Sequence, residues 1–369
     1  VAAFLPQLML QATRVRNRDQ GTVVISGTDR DALEEALLAA LRDPLADIRI
    51  QALEALRFIP WRLPPEALAE ILEDPEAEVR LTAYPVLLNR LNPLDFTAAA
   101  LEAWPEPNRA VRLVLAESLV RQSPAMEYGP LLGELSADDD PGIRHLAAAG
   151  SFILSPRQGL DPGLAEALRE TDFDAALVFR IFNAVRALPM PEAKALTTTL
   201  LEADSVIVRS QATRLWLQFA GSTPDPDRLA AILKDPAPEV RQEALRFLSS
   251  RPEEITFDQL LPLADSPYVD VRLQALGLSR ALPPEATLRF ALRMLMDTEP
   301  EIRRGALDQL ASLKPDNWER LFRASLRDPS PLVQRAAVAH LIQRFGDAGR
   351  RLARDYARSN PDQAVVTTI

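Results

Sequence analysis

Cysteine is absent from the 369 residues. That removes disulfides, thiolate metal sites and cysteine nucleophiles, and it fits a reducing compartment such as the cytoplasm. Histidine occurs only at His145 and His340, with no HxxxH or HExxH spacing, so no histidine-based metal site is expected. Thirteen glycines and 6% aromatic residues are few for a β sandwich or barrel. No glycine-rich phosphate loop and no GxSxG elbow occurs. No apolar run reaches the 18 residues of a membrane span. A basic surplus is also missing: net charge is −10, the wrong sign for a protein whose main task is gripping phosphate backbones. Lysine stands only at Lys194, Lys234 and Lys314 among 42 basic residues, which reads as the usage of a GC-rich genome. Neither a cofactor nor a metal ion is implied, and no catalytic residue is legible.

Proline, by contrast, is plentiful at 31 residues. In a chain rich in Leu, Ala, Glu and Arg, this suggests many helices separated by short turns. The prolines recur with a fixed companion. "LKDPAPEVRQEAL" (233–245) places Asp235-Pro236 ahead of Val240, Arg241 and Ala244. Similar segments carry their anchoring arginine at Arg49, Arg80, Arg112, Arg144, Arg180, Arg209, Arg241, Arg272 and Arg303, with Gln334 in the last. Successive spacings are 31, 32, 32, 36, 29, 32, 31, 31 and 31. A fixed period in this range marks a stacked array of small units.

Each unit reads as two helices. Around the quoted stretch, Leu229, Ile232 and Leu233 lie at helical spacing in a first helix over 226–235. Asp235 is expected to cap a second helix, with Pro236 in its first position and the helix running over 237–248. An aspartate stands six residues before the anchor in Asp43/Arg49, Asp74/Arg80, Asp138/Arg144, Asp174/Arg180, Asp235/Arg241 and Asp297/Arg303. Asp328 has the same relation to Gln334. If units stack in register, each arginine can reach the turn carboxylate of its neighbour, forming a ladder of bidentate pairs. Read as exposed pairs, these contribute at most about 1 kcal/mol each, leaving apolar stacking to supply most of the stability. Three residues past the anchor sits alanine in eight of ten units: Ala52, Ala83, Ala147, Ala212, Ala244, Ala275, Ala306 and Ala337; Leu115 and Asn183 are the exceptions. A small residue there fits close helix approach.

On these residues the chain resembles the HEAT-repeat family, in its short bacterial form of about 30 residues per unit. The pattern D-P-x-x-x-[VI]-R-x-x-A is matched best over 43–52, 74–83 and 235–244. The resemblance covers residues 28–345. It implies an all-α, right-handed α-solenoid of about ten stacked helix pairs, armadillo-type, with second helices lining a concave face. It also implies binding of another protein rather than catalysis, and this is the functional expectation: a non-catalytic scaffold or regulatory module. Helical phase puts Glu54, Arg57, Glu117, Arg186, Arg214, Glu243, Arg246 and Arg304 on the face that would meet a partner. HEAT-like enzymes offer the contrasting readings. The His-Glu pairs of the deoxyhypusine hydroxylases are missing. Net acidity disfavours an alkylpurine DNA glycosylase or other nucleic-acid or base-modifying enzyme. Nothing identifies the chromophore site of a bilin lyase-like protein.

The ends depart from the repeat. Residues 1–27 lack the signature and read as a cap or linker, with Thr28 and Asp31 opening the first clear helix. "VAAFLPQLML", followed by Arg14, Arg16 and Arg18, reads as an amphipathic capping helix. The alternative is the inner end of a removed membrane segment, making the chain a cytoplasmic domain of a larger transporter or receptor. "GTVVIS" is too short to define a strand. Residues 346–369 read as a capping helix and tail; Arg350, Arg351, Arg354 and Arg358 form a solvated polar face, with contact to an anionic surface as the alternative. "AVVTTI" reads as a frayed or linker end.

Three internal features remain. The unit around Arg180 is irregular after the turn-rich "SPRQGLDPG" (155–163), which reads as a tolerated insertion, with a hinge or binding notch as the functional alternative. Tyr84-Pro85 predicts a kink within a second helix. Asp138, Asp139 and Asp140 read as a helix start rather than a calcium loop. Trp61, Trp104, Trp216 and Trp318 are expected to pack at repeat ends.

Overall fold

The computed structural model describes residues 27–57, 64, 70–221 and 224–359, with side chains from Asp31 onward. The N-terminal capping segment, "GTVVIS", Trp61 and "AVVTTI" lie outside them. The described residues are all helix, turn and loop, without a strand. They form an all-α solenoid of consecutive helix pairs in two compact units, Val1–Gln211 and Ala212–Ile369.

The first unit runs α1 (Gly27–Leu41), α2 (Ala46–Leu56), a 3-10 turn (Glu70–Glu73), α3 (Ala77–Leu88), α4 (Pro93–Glu102), α5 (Arg109–Arg121), α6 (Gly129–Ser136), α7 (Pro141–Leu154), α8 (Pro162–Glu170), α9 (Ala175–Val185), α10 (Met190–Leu200) and α11 (Val206–Ala220). The unit boundary falls within α11. Successive second helices pack side by side: α2 on α3, α3 on α5, α5 on α7, α7 on α9. Proline or a polar cap starts most helices. Asn92, Asn108, Asp140 and Asp161 accept first-turn N–H groups. One apolar core follows, from Leu37 to Ala147, centred on Tyr84, Phe96 and Leu115.

In the second unit come α12 (Pro226–Ile232), α13 (Pro238–Ser249), α14 (Phe257–Ala264), α15 (Val269–Leu278), α16 (Pro284–Met294), α17 (Pro300–Leu313), α18 (Trp318–Ser325), α19 (Pro331–Arg344) and α20 (Gly346–Ser359). Here α13 packs on α15, α15 on α17, α17 on α19, and α20 lies against α19. Gly349 permits that last approach: a Cβ there would sit 2.1 Å from the Leu341 carbonyl oxygen. Trp318 stacks on Phe345 at 4.2 Å between ring centroids. Trp216 is buried and Trp104 partly so.

Within the repeat, one buried aliphatic residue precedes the anchor: Ile48, Val79, Val111, Ile143, Val208, Val240, Val271, Ile302 and Val333 are all buried. The residue three past the anchor is fully covered in every regular unit, Leu115 included. The exception corrects the register of the irregular unit. Phe179, the residue just before Arg180, is 50% exposed, and Asn183 is exposed, whereas Leu177, Val178, Ile181, Phe182 and Val185 are buried. That pattern matches the other second helices only when Leu177 takes the aliphatic position, which puts Val178, not Arg180, in the anchor position. The spacings become 34 and 31. The insertion is therefore confined to the loop ahead of α8, where a short 3-10 turn (Pro156–Gln158) is added. Pro85 lies inside α3, which continues through it to Leu88.

Candidate functional site

The aspartates do not cap in the expected way. Asp235 accepts the N–H of Ala237, two residues on, at 2.8 Å, and the helix starts at Pro238 with Ala237 as its N-cap. Asp43, Asp74, Asp138, Asp297 and Asp328 make the same short turn to Leu45, Glu76, Asp140, Glu299 and Ser330. Helix 237–248 is thus 238–249, and the first helix of that pair ends at Ile232 rather than 235. The turn has a purpose. It aims the aspartate carbonyl back along the second helix, where the anchor arginine six residues later donates to it. Arg49 to Asp43 is 2.7 Å, Arg80 to Asp74 2.5 Å, Arg241 to Asp235 2.8 Å and Arg303 to Asp297 2.8 Å. Arg112, Arg209 and Arg272 do the same with Glu106, Ala203 and Ser266. A carbonyl is enough for this bond, so the side chain six residues back can vary.

The other edge of each guanidinium reaches the next repeat. Arg49 forms a bidentate pair with Asp74 (2.6 and 2.8 Å), Arg80 with Glu106 (2.7 and 2.8 Å), and Arg112 with Asp138 (2.6 and 3.3 Å). In the second unit, Arg272 pairs with Asp297 and Arg303 with Asp328. Arg241 differs, because Ser266 occupies its neighbour's turn position. It takes Asp270 instead, at 3.0 Å, and lies over the Tyr268 ring at 3.8 Å. A cation over an aromatic face replaces part of the lost charge pairing. Apart from Arg241–Asp270, whose carboxylate is 34% exposed, these pairs are buried, which corrects the expectation of exposed pairs: Arg80 and Glu106 are 11% and 2% exposed. Loss of one partner from such a pair strands a buried charge.

The titration behaviour follows. Hydrogen bonds donated to Asp74, Glu106, Asp138 and Asp328 push Arg49, Arg80, Arg112 and Arg303 above the ordinary guanidinium value against the opposing effect of burial. Burial pulls Asp138 and Asp328 upward, but bonds from arginine and from backbone N–H groups outweigh it and hold both below the usual carboxylate value. Arg90 and Arg180 show the contrast. They donate only to backbone carbonyls, Arg90 to Leu56 and Arg180 to Val120 and Gln122, and burial lowers both.

The ladder is interrupted once in the first unit. Arg144 is exposed and bonds only the carbonyls of Asp138 and Asp139; among the described residues it meets no carboxylate. Val178 fills the following anchor position. Asp174 and Arg180 are therefore not a ladder pair. The acidic triplet is fully used: Asp138 and Asp139 bind Arg112, while Asp140 caps α7 and binds Arg109. No group of three metal-binding side chains is found among the described residues. The stack ends at Gln334, whose amide donates to the Asp328 carbonyl at 2.6 Å and accepts from the Tyr356 hydroxyl.

What remains open to a partner is the outer arc of the second helices. Two residues past the buried aliphatic, the first unit carries Ile50, Leu81, Leu113, His145 and Phe179 on successive helices, with Ile50 and Leu113 half-buried against the core. Leu81 is 36% and Phe179 50% exposed. The second unit presents Gln242, Leu273, Arg304 and Arg335 at that position. Of the residues placed on this face by helical phase, Arg57, Arg186, Arg246 and Arg304 are exposed, and Glu54, Glu117 and Arg214 partly so. Glu243 is the correction: it is buried between Arg214 (2.8 Å) and Arg246 (2.8 Å) and belongs to a cross-repeat cluster. The apolar positions are hard to read from helical phase alone, because charged residues outnumber them on the same arc. Their signal was a leucine, isoleucine or phenylalanine directly after an anchor or near it, on an otherwise polar arc.

This geometry defines an all-α solenoid of stacked helix pairs. No family model matches the chain, and no curated protein matches it. Among solved structures it is similar to Kap121p bound to Ste12p, at 13% identity and TM-score 0.49, over 93% of this chain and 44% of that one. Yeast importin-β, Kap95p, matches at 12% identity and TM-score 0.47, over 94% of this chain and 54% of that one. YibA of Escherichia coli matches at 15% identity and TM-score 0.33, over 94% and 97%. The chain spans about half the length of the two karyopherins. Among the described residues, no helix is long and apolar enough to cross a membrane.

Proposed function

We propose that the chain is a non-catalytic protein-binding scaffold of the short HEAT-repeat type, and that its docking face is the second-helix arc of the first unit. The supporting observation is the run Ile50, Leu81, Leu113 and Phe179, four apolar side chains at one repeat position on five successive second helices. Scattered exposed apolar residues need no explanation, but a periodic line of them on one face marks an interaction surface. Glu54, Glu117 and Arg57 flank the line and supply polar contacts at its rim. The same position in the second unit carries Gln242, Leu273, Arg304 and Arg335, one apolar residue among four, so its face is more polar than that of the first unit.

The test is affinity capture from the source cells with the full chain and with Leu81→Glu/Phe179→Glu. Both side chains are exposed, so the double variant keeps its fold, as circular dichroism checks. Proteins held by the wild type and lost from the variant support the docking face. Identical captured sets, or no captured protein with either, count against it.

A further inference from the structure

The second unit ends in a reversal of charge. The chain as a whole carries −10, yet residues 318–359 hold nine arginines and four acidic residues. One of those four, Asp328, is already bound to Arg303. Three of the arginines, Arg320, Arg323 and Arg327, stand on one side of α18 and its C-terminal turn, along the wall of a cavity of about 590 Å³ between α18 and α20. Arg323 pairs with Glu319 on its own helix. Arg320 and Arg327 are exposed and meet no carboxylate among the described residues. Leu326 and Leu352 line the cavity from below together with Gln334, and Asp355, which pairs with Arg358, stands on its α20 side.

The position in the stack explains the surplus. In each preceding repeat of this unit, an aspartate of the following structure supplies negative charge beside the second helix: Asp270, Asp297 and Asp328. At the last repeat the anchor is Gln334, and α20 brings no carboxylate to it. The cations here come from the first helix instead, and nothing in the repeat pattern neutralises them.

We propose that this cleft binds an acidic, extended segment of a protein partner. The spacing and lining favour that chemistry. Arg320 to Arg327 covers seven residues, or about 10 Å of helix. An extended peptide returns side chains to one face about every 6.6–6.8 Å, so two alternate carboxylates span most of that line. The residues between them point the other way, onto Leu326 and Leu352. A nucleic acid strand fits less well. Base stacking needs open aromatic faces, whereas Trp318 is stacked on Phe345, and Tyr356 in the cleft lining is packed against the core with its hydroxyl on Gln334. This site is remote in sequence from Leu81 and Phe179 and stands or falls independently of the docking face proposed above.

The experiment uses the full chain and a fluorescein-labelled octapeptide of alternating glutamate and leucine, read by anisotropy. Two comparison probes are the same peptide with lysine for glutamate and a labelled 20-nucleotide single strand. The expected result is saturable binding of the acidic peptide that weakens with added salt. It falls about tenfold or more in Arg320→Glu/Arg327→Glu, and less steeply in Arg320→Gln/Arg327→Gln. Arg280→Gln, at an exposed site outside the cleft, leaves it unchanged. Equal binding of the lysine peptide, preferential binding of the single strand, or an acidic-peptide affinity unmoved by either double variant overturns the proposal. So does the absence of acidic-peptide binding at low salt.

Discussion

Removing the carboxylate of Asp328 tests whether the ladder holds the repeats together or only decorates their edge. Arg303 and Asp328 are each 11% exposed. The guanidinium donates four bonds: two to Asp328 at 2.8 Å, and one each to the carbonyls of Asp297 and Thr298 at 2.8 Å. Asp328→Ala leaves a buried cation with carbonyl partners alone, and breaking a buried pair from one side costs about 3–5 kcal/mol. Asp328→Asn keeps an oxygen for the Ser330 N–H and loses only the charged bonds, costing about 1.5–3 kcal/mol. Replacing both partners, as Arg303→Met with Asp328→Leu, removes the stranded charge and lies near the wild type or above it.

The double-mutant cycle therefore returns a large coupling. The readout is urea unfolding together with amide exchange in α17 and α19, because a repeat array need not unfold in one step. The pH dependence has a definite sign. Asp328 is held below its unfolded value, so its contribution is present above about pH 4 and is lost as pH falls through the depressed folded value. The gap between wild type and Asp328→Asn narrows on acidification. Burial also makes the gap persist in 1 M salt. A cost below about 1 kcal/mol for Asp328→Ala, or a coupling near zero, refutes the reasoning.

Other perturbations probe the rest of the repeat. Amides of α8 and α9 exchange about tenfold or more faster than those of α5, measured by mass spectrometry, because Arg144 meets no carboxylate among the described residues and Val178 offers no guanidinium at the next anchor position; equal protection contradicts this. Ala275→Leu overfills a fully covered contact and costs about 1–3 kcal/mol in thermal or urea unfolding. Leu115→Ala, at the equivalent position, leaves a hole and costs about 2–5 kcal/mol in the same assay. Gly349→Ala drives a Cβ into the Leu341 carbonyl and lifts α20 from α19, which changes the fluorescence of Trp318 where it stacks on Phe345. Gly129→Ala, with nothing within 4 Å, stays within about 0.5 kcal/mol of the wild type.

The period was legible because each repeat must solve the same packing problem with the same few residues. Val240, Arg241 and Ala244 have distinct environments, and each leaves a distinct mark on the sequence. Three things were hidden. Helix starts were misplaced by one or two residues, since an aspartate that turns the chain and one that caps a helix look alike beside proline. The burial of the pairs depends on a second repeat covering the first, so one repeat taken alone leaves Arg80 and Glu106 on its surface. Arg180 drew the alignment to itself because it stands two residues past the true anchor position, and only the exposure of Phe179 and Asn183 exposes the slip. Glu243 shared the outer arc by phase and was withdrawn from it by two arginines. The apolar line is masked by the charged residues that outnumber it on that arc.

The two-sided grip of the anchor arginine has a consequence for how such a chain grows. Where the joint recurs unchanged, as at Arg272–Asp297 and Arg303–Asp328, the same donor set on one module meets the same acceptor on the next. A duplicated module of that kind can be spliced in with the bonds on both sides restored, so length can change there without a new interface having to be invented. At Gln334 the joint takes another form: the amide keeps the grip on its own turn carbonyl, and a tyrosine hydroxyl of α20 takes the place that a carboxylate holds elsewhere.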